Sequence, residues 1–144
     1  MSSSPASPPR GGSICPIASG LDLLGDRWTL LVIRDLLLFG KRRFGEMLAS
    51  PEKIPTNILA ERLRRLEAAG VIRKVPYQTT PLRHEYRLTQ MGRDLLPVLR
   101  ALIEWGNLHL PGCGVPPPGV FDQVAARLAA ERESEAVDEA APAP

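Results

Sequence analysis

One stretch, residues 54–88, restricts the folds open to this chain: a helical pattern is followed at once by two β-rich runs. From Leu59 the apolar residues recur at Leu63 and Leu66, the i, i+4, i+7 stripe of a helix with one buried side. Arg62 flanks that stripe and is expected to be structural, pairing with an acid. The opposite side carries Asn57, Glu61, Arg64 and Ala68, with Ala60 and Arg65 on its borders. It is polar, basic and free of bulky apolar groups. Such a helix can rest one side on a core while its N-terminal end and outer side enter the major groove of a duplex, which is wide enough for one helix.

The ends of this helix are marked. Pro55 suits a first turn because its missing N–H would have had no partner there, and Thr56 is expected to cap free amides. Gly70 supplies the positive φ that closes it. Residues 71–77 and 84–88 are then rich in β-branched and aromatic side chains, separated by the turn-rich segment 78–83. The pattern predicts a hairpin, or wing, with Arg83 near its tip.

Charge is distributed unevenly along the chain. The net charge is +2, but residues 41–87 hold eleven basic against five acidic side chains, and residues 111–144 hold two against six. The positive surplus therefore coincides with the helix, the wing and their approach. Phosphate neutralisation requires such a surplus, although a solvated basic face would show it too. A length of 144 residues accommodates one domain and a tail. The first twelve residues are rich in Ser, Pro and Gly without a long apolar run, so they read as disordered, with neither a signal peptide nor a membrane span. Two cysteines and no export signal point to a reducing cytoplasm.

Taken in order, Ile17, Leu21 and Leu24 mark a first helix closed by Gly25. Asp26 is expected to cap a second, over residues 27–39, apolar most of the way round and central to the core. The basic turn Lys41-Arg42-Arg43 leads to a short third helix carrying Phe44, Met47 and Leu48. Two helices across a short turn, then a helix and a hairpin, make a winged helix-turn-helix. The fold class is thus mainly α with a small β-hairpin. Thr89 is expected to cap a long helix towards Leu110, kinked or restarted at Pro97 near Leu96. Its apolar surface, which includes Trp105, is broader than a three-helix core can cover. A second copy of the chain is the simplest partner, with the first helix contributing to the same interface. Residues 116–119, Pro-Pro-Pro-Gly, form a stiff linker before a weak helix over 120–133, and residues 134–144 read as disordered. The resulting division is a disordered segment 1–13, a domain 14–111, and a linker, weak helix and acidic tail over 112–144.

Catalytic signals are missing from the sequence. No phosphate loop, zinc motif or nucleophile motif is present, and Pro111 and Gly112 break any helix between His109 and Cys113. No cofactor is expected, and an enzyme is the disfavoured class. For a DNA-binding reading, Thr56 and the first amides of its helix could hold a phosphate, while Asn57 and Arg64 point towards base edges. Arg42, Arg43 and Lys53 would hold the backbone, Arg65 would border the contact, and Arg83 could enter a narrow minor groove. The alternative is a winged-helix protein adaptor that binds no DNA. Cys15, just before the first helix, is either a small buried residue or a thiol activated by the helix N-terminus, and Cys113 is a candidate resolving thiol.

With these pieces in place the chain resembles the HxlR-type family of bacterial transcriptional regulators. The residues that carry the resemblance are Cys15-Pro16-Ile17, Gly25-Asp26-Arg27-Trp28, Arg43-Phe44, Met47-Leu48, Leu59, Arg62-Leu63, Leu66-Glu67 and Gly70-Val71-Ile72-Arg73. It continues through Glu85-Tyr86, Leu88-Thr89, Gly92, Leu96-Pro97-Val98-Leu99 and Trp105-Gly106. Each fragment is weak, but their order and spacing together are specific. The resemblance implies a homodimer built from the first and last helices of the domain, with N- and C-terminal dimerisation helices presenting two recognition helices and two wings to a pseudo-palindromic operator. It also implies a role for Cys15, since some relatives use a cysteine at the matching place to sense oxidants or electrophiles; a small-molecule or electrophile effector is therefore expected. The chain departs where many relatives have Ser-Pro and it has Pro55-Thr56.

Overall fold

A computed structural model describes residues 13–140. The disorder expected of residues 1–12 and 141–144 lies outside the described residues. Seven helices and one hairpin follow in order: α1 (Pro16–Leu24), α2 (Thr29–Leu37), α3 (Phe44–Leu48), α4 (Thr56–Ala68), β1 (Ile72–Thr79), β2 (Leu82–Leu88), α5 (Gln90–Arg93), α6 (Leu96–His109) and α7 (Val120–Ala140). Helices α3 and α4 across a short turn, followed by the β1–β2 wing, form a winged helix-turn-helix.

The core gathers where the patterns intersect. Leu59, Leu63 and Leu66 of α4 are buried with Ile33 and Leu37 of α2, Met47 of α3, and Val71 and Ile72 at the wing's root. Removing a side chain such as Leu63 from this packing would lose both its transfer free energy and the contacts around it. α2 is central, as its sequence predicts, but it begins at Thr29 rather than Arg27 and ends at Leu37. The reason is Asp26, whose Oδ1 accepts from the amides of Trp28 (2.9 Å) and Thr29 (3.0 Å) while the Thr29 hydroxyl donates to Oδ2. The two residues after the aspartate complete the turn, and regular helix starts only beyond them. Arg62 Nε donates to the same Asp26 Oδ1 at 3.0 Å, so the start of α2 is bonded to the middle of α4. That is the acid expected for Arg62.

The wing is longer than predicted. β1 and β2 are antiparallel, Ile72 opposite Leu88 and Lys74 opposite Tyr86, with a register shift between Pro76 and Gln78; Pro76 has no N–H to give the ladder. Pairing resumes at Gln78 with Arg83 and Thr79 with Leu82, so only Thr80 and Pro81 form the tip instead of a six-residue turn. Arg42 adds to the sheet's edge, its carbonyl accepting from the Tyr86 amide at 2.7 Å. Beyond the wing, the Thr89 side chain accepts from the Gly92 amide and caps α5. Gly92 lies so close to the Val71 carbonyl that a Cβ there would collide with backbone. The helix then breaks before Pro97 and restarts as α6, as the proline dictates.

The C-terminal segment differs most from expectation. α7 runs to Ala140, past Ser134 where disorder was expected, and its Val124 and Leu128 are buried in the main core. Residues rich in Ala, Glu and Arg favour helix, and burial of one apolar edge supplies what propensity alone does not. The Arg127 guanidinium donates to the Leu37 carbonyl at the end of α2, closing one of that helix's free carbonyls.

The Asp26 junction yields a testable consequence. Burial opposes ionisation of this carboxyl, but hydrogen bonds from the Thr29 hydroxyl, Arg62 and the Trp28 and Thr29 amides outweigh it and hold the pKa at about 2, below the ordinary 3.8. A depressed pKa contributes stability that is complete above the unfolded value and lost as pH falls through the folded one. Trp28, not Asp26, takes the cap position of α2, so Asp26 acts through the turn before the helix; Asp26→Ala should cost about 1.5–3 kcal/mol at neutral pH, the usual cost of losing hydrogen bonds to a charged group. In urea unfolding, the gap between wild type and variant should close as pH falls from 4 towards 2. A gap independent of pH would remove the ionised carboxylate from the account.

Candidate nucleic-acid interface

The N-terminal end of α4 is built from below. Ile54 is buried, and the turn before it is held by a network in which the buried Asp35 carboxylate accepts from Arg34 Nη2 at 2.9 Å and from the Ser50 hydroxyl. Arg34 also pairs with Glu52, and Lys41 Nζ donates to Ser50 Oγ at 2.7 Å while lying 3.6 Å from Asp35. The Arg34 hydrogen bond holds the Glu52 carboxyl below its ordinary range. These five side chains tie the end of α2 to the α3–α4 turn. Of the five only Lys41 was named from sequence, as part of the basic turn, because the two ends of the network are separated in the chain; the one further signal was a charged pair, Arg34-Asp35, inside an otherwise apolar helix.

Above this foundation, Thr56 does not cap α4. Pro55 takes the cap position with extended backbone (φ −61°, ψ 142°), Thr56 is the first helical residue, and no side chain caps the helix. Proline sits before the first turn rather than in it, which moves threonine one place inward. The leading amides of α4 therefore have no side-chain acceptor and lie beside the exposed side chains of Thr56 and Asn57. Arg64, two turns further on the same side, is exposed and has no carboxylate within 4 Å among the described residues.

The other predicted positions divide into two sets. Arg43, Lys53 and Arg83 are exposed and share Arg64's lack of an ion-pair partner; Lys53 holds a left-handed φ of 57° in the turn before α4. Arg43 lies with its guanidinium carbon 4.1 Å from the centre of the Tyr77 ring, joining the basic turn to the wing by a cation–π contact. Arg42 and Arg65 are engaged elsewhere. Arg42 Nη2 pairs with Glu131 of α7 at 3.1 Å. Arg65 donates to the Asp22 carbonyl at the end of α1 and lies 3.9 Å from Asp26. Both, expected at the interface, have partners within the fold: their guanidinium groups join α7 and α1 to the domain. Lys74 was missed. It stands opposite Tyr86 on β1, exposed and without a carboxylate partner among the described residues; its charge was the one signal, since period-two alternation would put it on the face of the buried Ile72.

A second surface lies on α1 and α6. Ile17 and Leu21 of α1 are 74% and 58% exposed, and Val98, Leu102 and Trp105 of α6, spaced at helical intervals, are also open to solvent. Cys15 is the cap residue of α1 and is exposed; Cys113 is exposed in the segment after α6. Among the described residues no cluster of three or more His, Cys, Asp or Glu could hold a metal, and no helix is long and apolar enough to cross a membrane.

Residues 23–112 match the HxlR-like helix-turn-helix family. The HTH-type transcriptional regulator Rv3095 of Mycobacterium tuberculosis is 46% identical over 101 residues, which are 70% of this chain and 63% of that protein; the chain thus spans less than two thirds of that relative's length. The regulator sll1512 of Synechocystis is 43% identical over 96 residues, 67% of this chain and 70% of that one. Among solved structures, the reduced form of the redox regulator HypR superposes with a TM-score of 0.61 at 32% identity, covering 67% of this chain and 95% of that one. The reduced form of the transcriptional regulator YodB from Bacillus subtilis superposes with a TM-score of 0.57 at 31% identity, covering 71% of this chain and all of that one. With a winged helix-turn-helix fold and a match across the whole of that unit, this chain belongs to the HxlR-like family of HTH-type transcriptional regulators.

Proposed function

We propose that the protein is a sequence-specific regulator that binds double-stranded DNA as a homodimer. The observation that carries this reading is the coincidence of Arg43, Lys53, Arg64, Lys74 and Arg83, all exposed and without carboxylate partners among the described residues, with the open end of α4 and the wing. In this reading α4 enters the major groove. Asn57 and Arg64 meet base edges, asparagine suiting adenine and arginine guanine. The first amides of α4, the Thr56 hydroxyl, Arg43 and Lys53 hold phosphates, and Arg83 approaches the minor groove from the wing. The apolar residues of α1 and α6 close on those of a second copy, so that two such units meet a pseudo-palindromic site.

Cys15 is the candidate sensor. Its thiol is exposed at the start of α1, a helix assigned here to the dimer contact, so oxidation or alkylation there would act on the spacing of the two units. The likeness to HypR, a redox regulator with both reduced and oxidised structures, supports this assignment.

Arg64→Ala should cost about 1–3 kcal/mol on the cognate site and relax base preference at one position per half-site. Arg43→Ala should instead weaken binding to all duplexes and lower the salt slope by about one. Competition titrations against cognate and scrambled duplexes separate the two, and equal loss of preference from both would contradict the division of roles. Leu102→Glu should yield monomers in sedimentation equilibrium and weaken binding to the two-fold site; a variant still dimeric would move the interface elsewhere. Release from DNA by a mild oxidant should vanish in Cys15→Ser, measured by fluorescence anisotropy, and persistence of release would exclude this thiol.

A further inference from the structure

α7 lies wholly outside the matched residues 23–112, yet it is bonded to the wing. Arg73 and Arg87 stand opposite one another across β1 and β2 at the wing's root. Like charges in that position repel and would splay the strands unless each has its own acid. Arg87 has one on its own strand, Glu85, at 2.8 Å. Arg73 has none in the family-matched region; its partner is Glu135 of α7, at 2.8 Å from Nη2.

The same carboxylate answers a second need. Arg93 of α5 is buried, its side chain 7% exposed, with Nη1 donating to the Leu88 carbonyl at the end of β2 at 3.1 Å. Its carboxylate partner among the described residues is again Glu135, whose second oxygen lies 3.0 Å from Nη2. A buried guanidinium without such a partner is costly. One turn back on α7, Glu131 pairs with Arg42, whose carbonyl extends the other edge of the sheet. At the start of α7, Phe121 lies beneath the guanidinium of Arg100 on α6, 5.0 Å from ring centre to carbon. α7 therefore touches the dimer-assigned helix, α5 and β1, and through Arg42 it is linked to the outer edge of β2.

We propose that α7 is a brace that fixes the wing relative to α6, with Glu135 as the positioning residue that joins β1 to α5. The role in DNA binding rests on the reading above, in which Arg83 at the wing's end contacts the duplex. Arg42 then serves the interface indirectly, by anchoring the brace. Neutralising Glu135 leaves Arg73 and Arg93 facing one another without a counter-charge and frees the hairpin to move, while Val124 and Leu128 keep α7 docked.

The test compares Glu135→Gln with Glu133→Gln, which removes the same charge from an exposed position of the same helix. In hydrogen exchange of the free protein, Glu135→Gln should speed the β1–β2 amides by about tenfold, equivalent to about 1.4 kcal/mol, with the amides of α2 and α4 unchanged. Glu133→Gln should leave both unchanged. In DNA titrations Glu135→Gln should weaken binding as Arg83→Ala does, and the double variant should be no weaker than either alone. Unchanged hairpin exchange would overturn the brace. Faster exchange with full DNA affinity, or additive losses in the double variant, would overturn its role in placing the wing. A wild-type protein that binds no duplex would overturn the DNA-binding reading, and the exchange result would still decide whether the brace exists.

Discussion

α4 must satisfy two surfaces at once. Leu59, Leu63 and Leu66 are buried to within about a hundredth of their area, against α2, α3 and the wing's root, and this fixes the rotation of the helix about its own axis. With that rotation set, Asn57 and Arg64 can only face outward. A one-residue change in the stripe would turn the helix by roughly 100° and carry the polar side into the core. The Arg62–Asp26 contact and the Asp35 network then fix the helix along its axis, the first at its middle and the second at the turn before it.

Against this scaffold the arginines divide by what lies beside them, not by where they stand in the sequence. Arg34, Arg62, Arg65 and Arg93 have carboxylates or carbonyls within the fold and hold elements together. Arg64 and Arg83 have none among the described residues, and Arg43 rests on the Tyr77 ring. A positive group without a fixed counter-charge keeps its field for an outside partner, and several such groups on one side sum to an attraction that depends on salt.

Much of this was legible in the amino-acid order because it depends on local period and on residues with singular backbones. The α4 stripe, Gly70, the Thr89 cap and the break at Pro97 all act within a few residues of themselves. The extent of the wing was less legible, since the register shift between Pro76 and Gln78 lets pairing resume at Gln78 with Arg83 and Thr79 with Leu82, within the segment 78–83 whose composition reads as a turn. The docking of α7 was not legible. Val124 and Leu128 are a short apolar edge on a weakly amphipathic helix, and the carboxylates that place it pair with Arg42, Arg73 and Arg93, tens of residues away. For the same reason the partners of Arg42 and Arg65 were not legible: sequence showed their charge, and the fold brought Glu131 to one and the Asp22 carbonyl and Asp26 to the other. Thr56 was displaced by a single position, which follows from proline taking the cap.

The central claim is that the exposed basic side of α4 and the wing reads a specific duplex. Its most direct measurement is a titration of the purified protein against the promoter of its own gene and against an unrelated duplex of equal length, over a range of salt. Tighter binding to the promoter, a steep fall in affinity with salt, and a footprint of two half-sites one helical turn or a small multiple apart are the predicted result. Equal affinity for both duplexes at every salt concentration, or no binding to either, would contradict it.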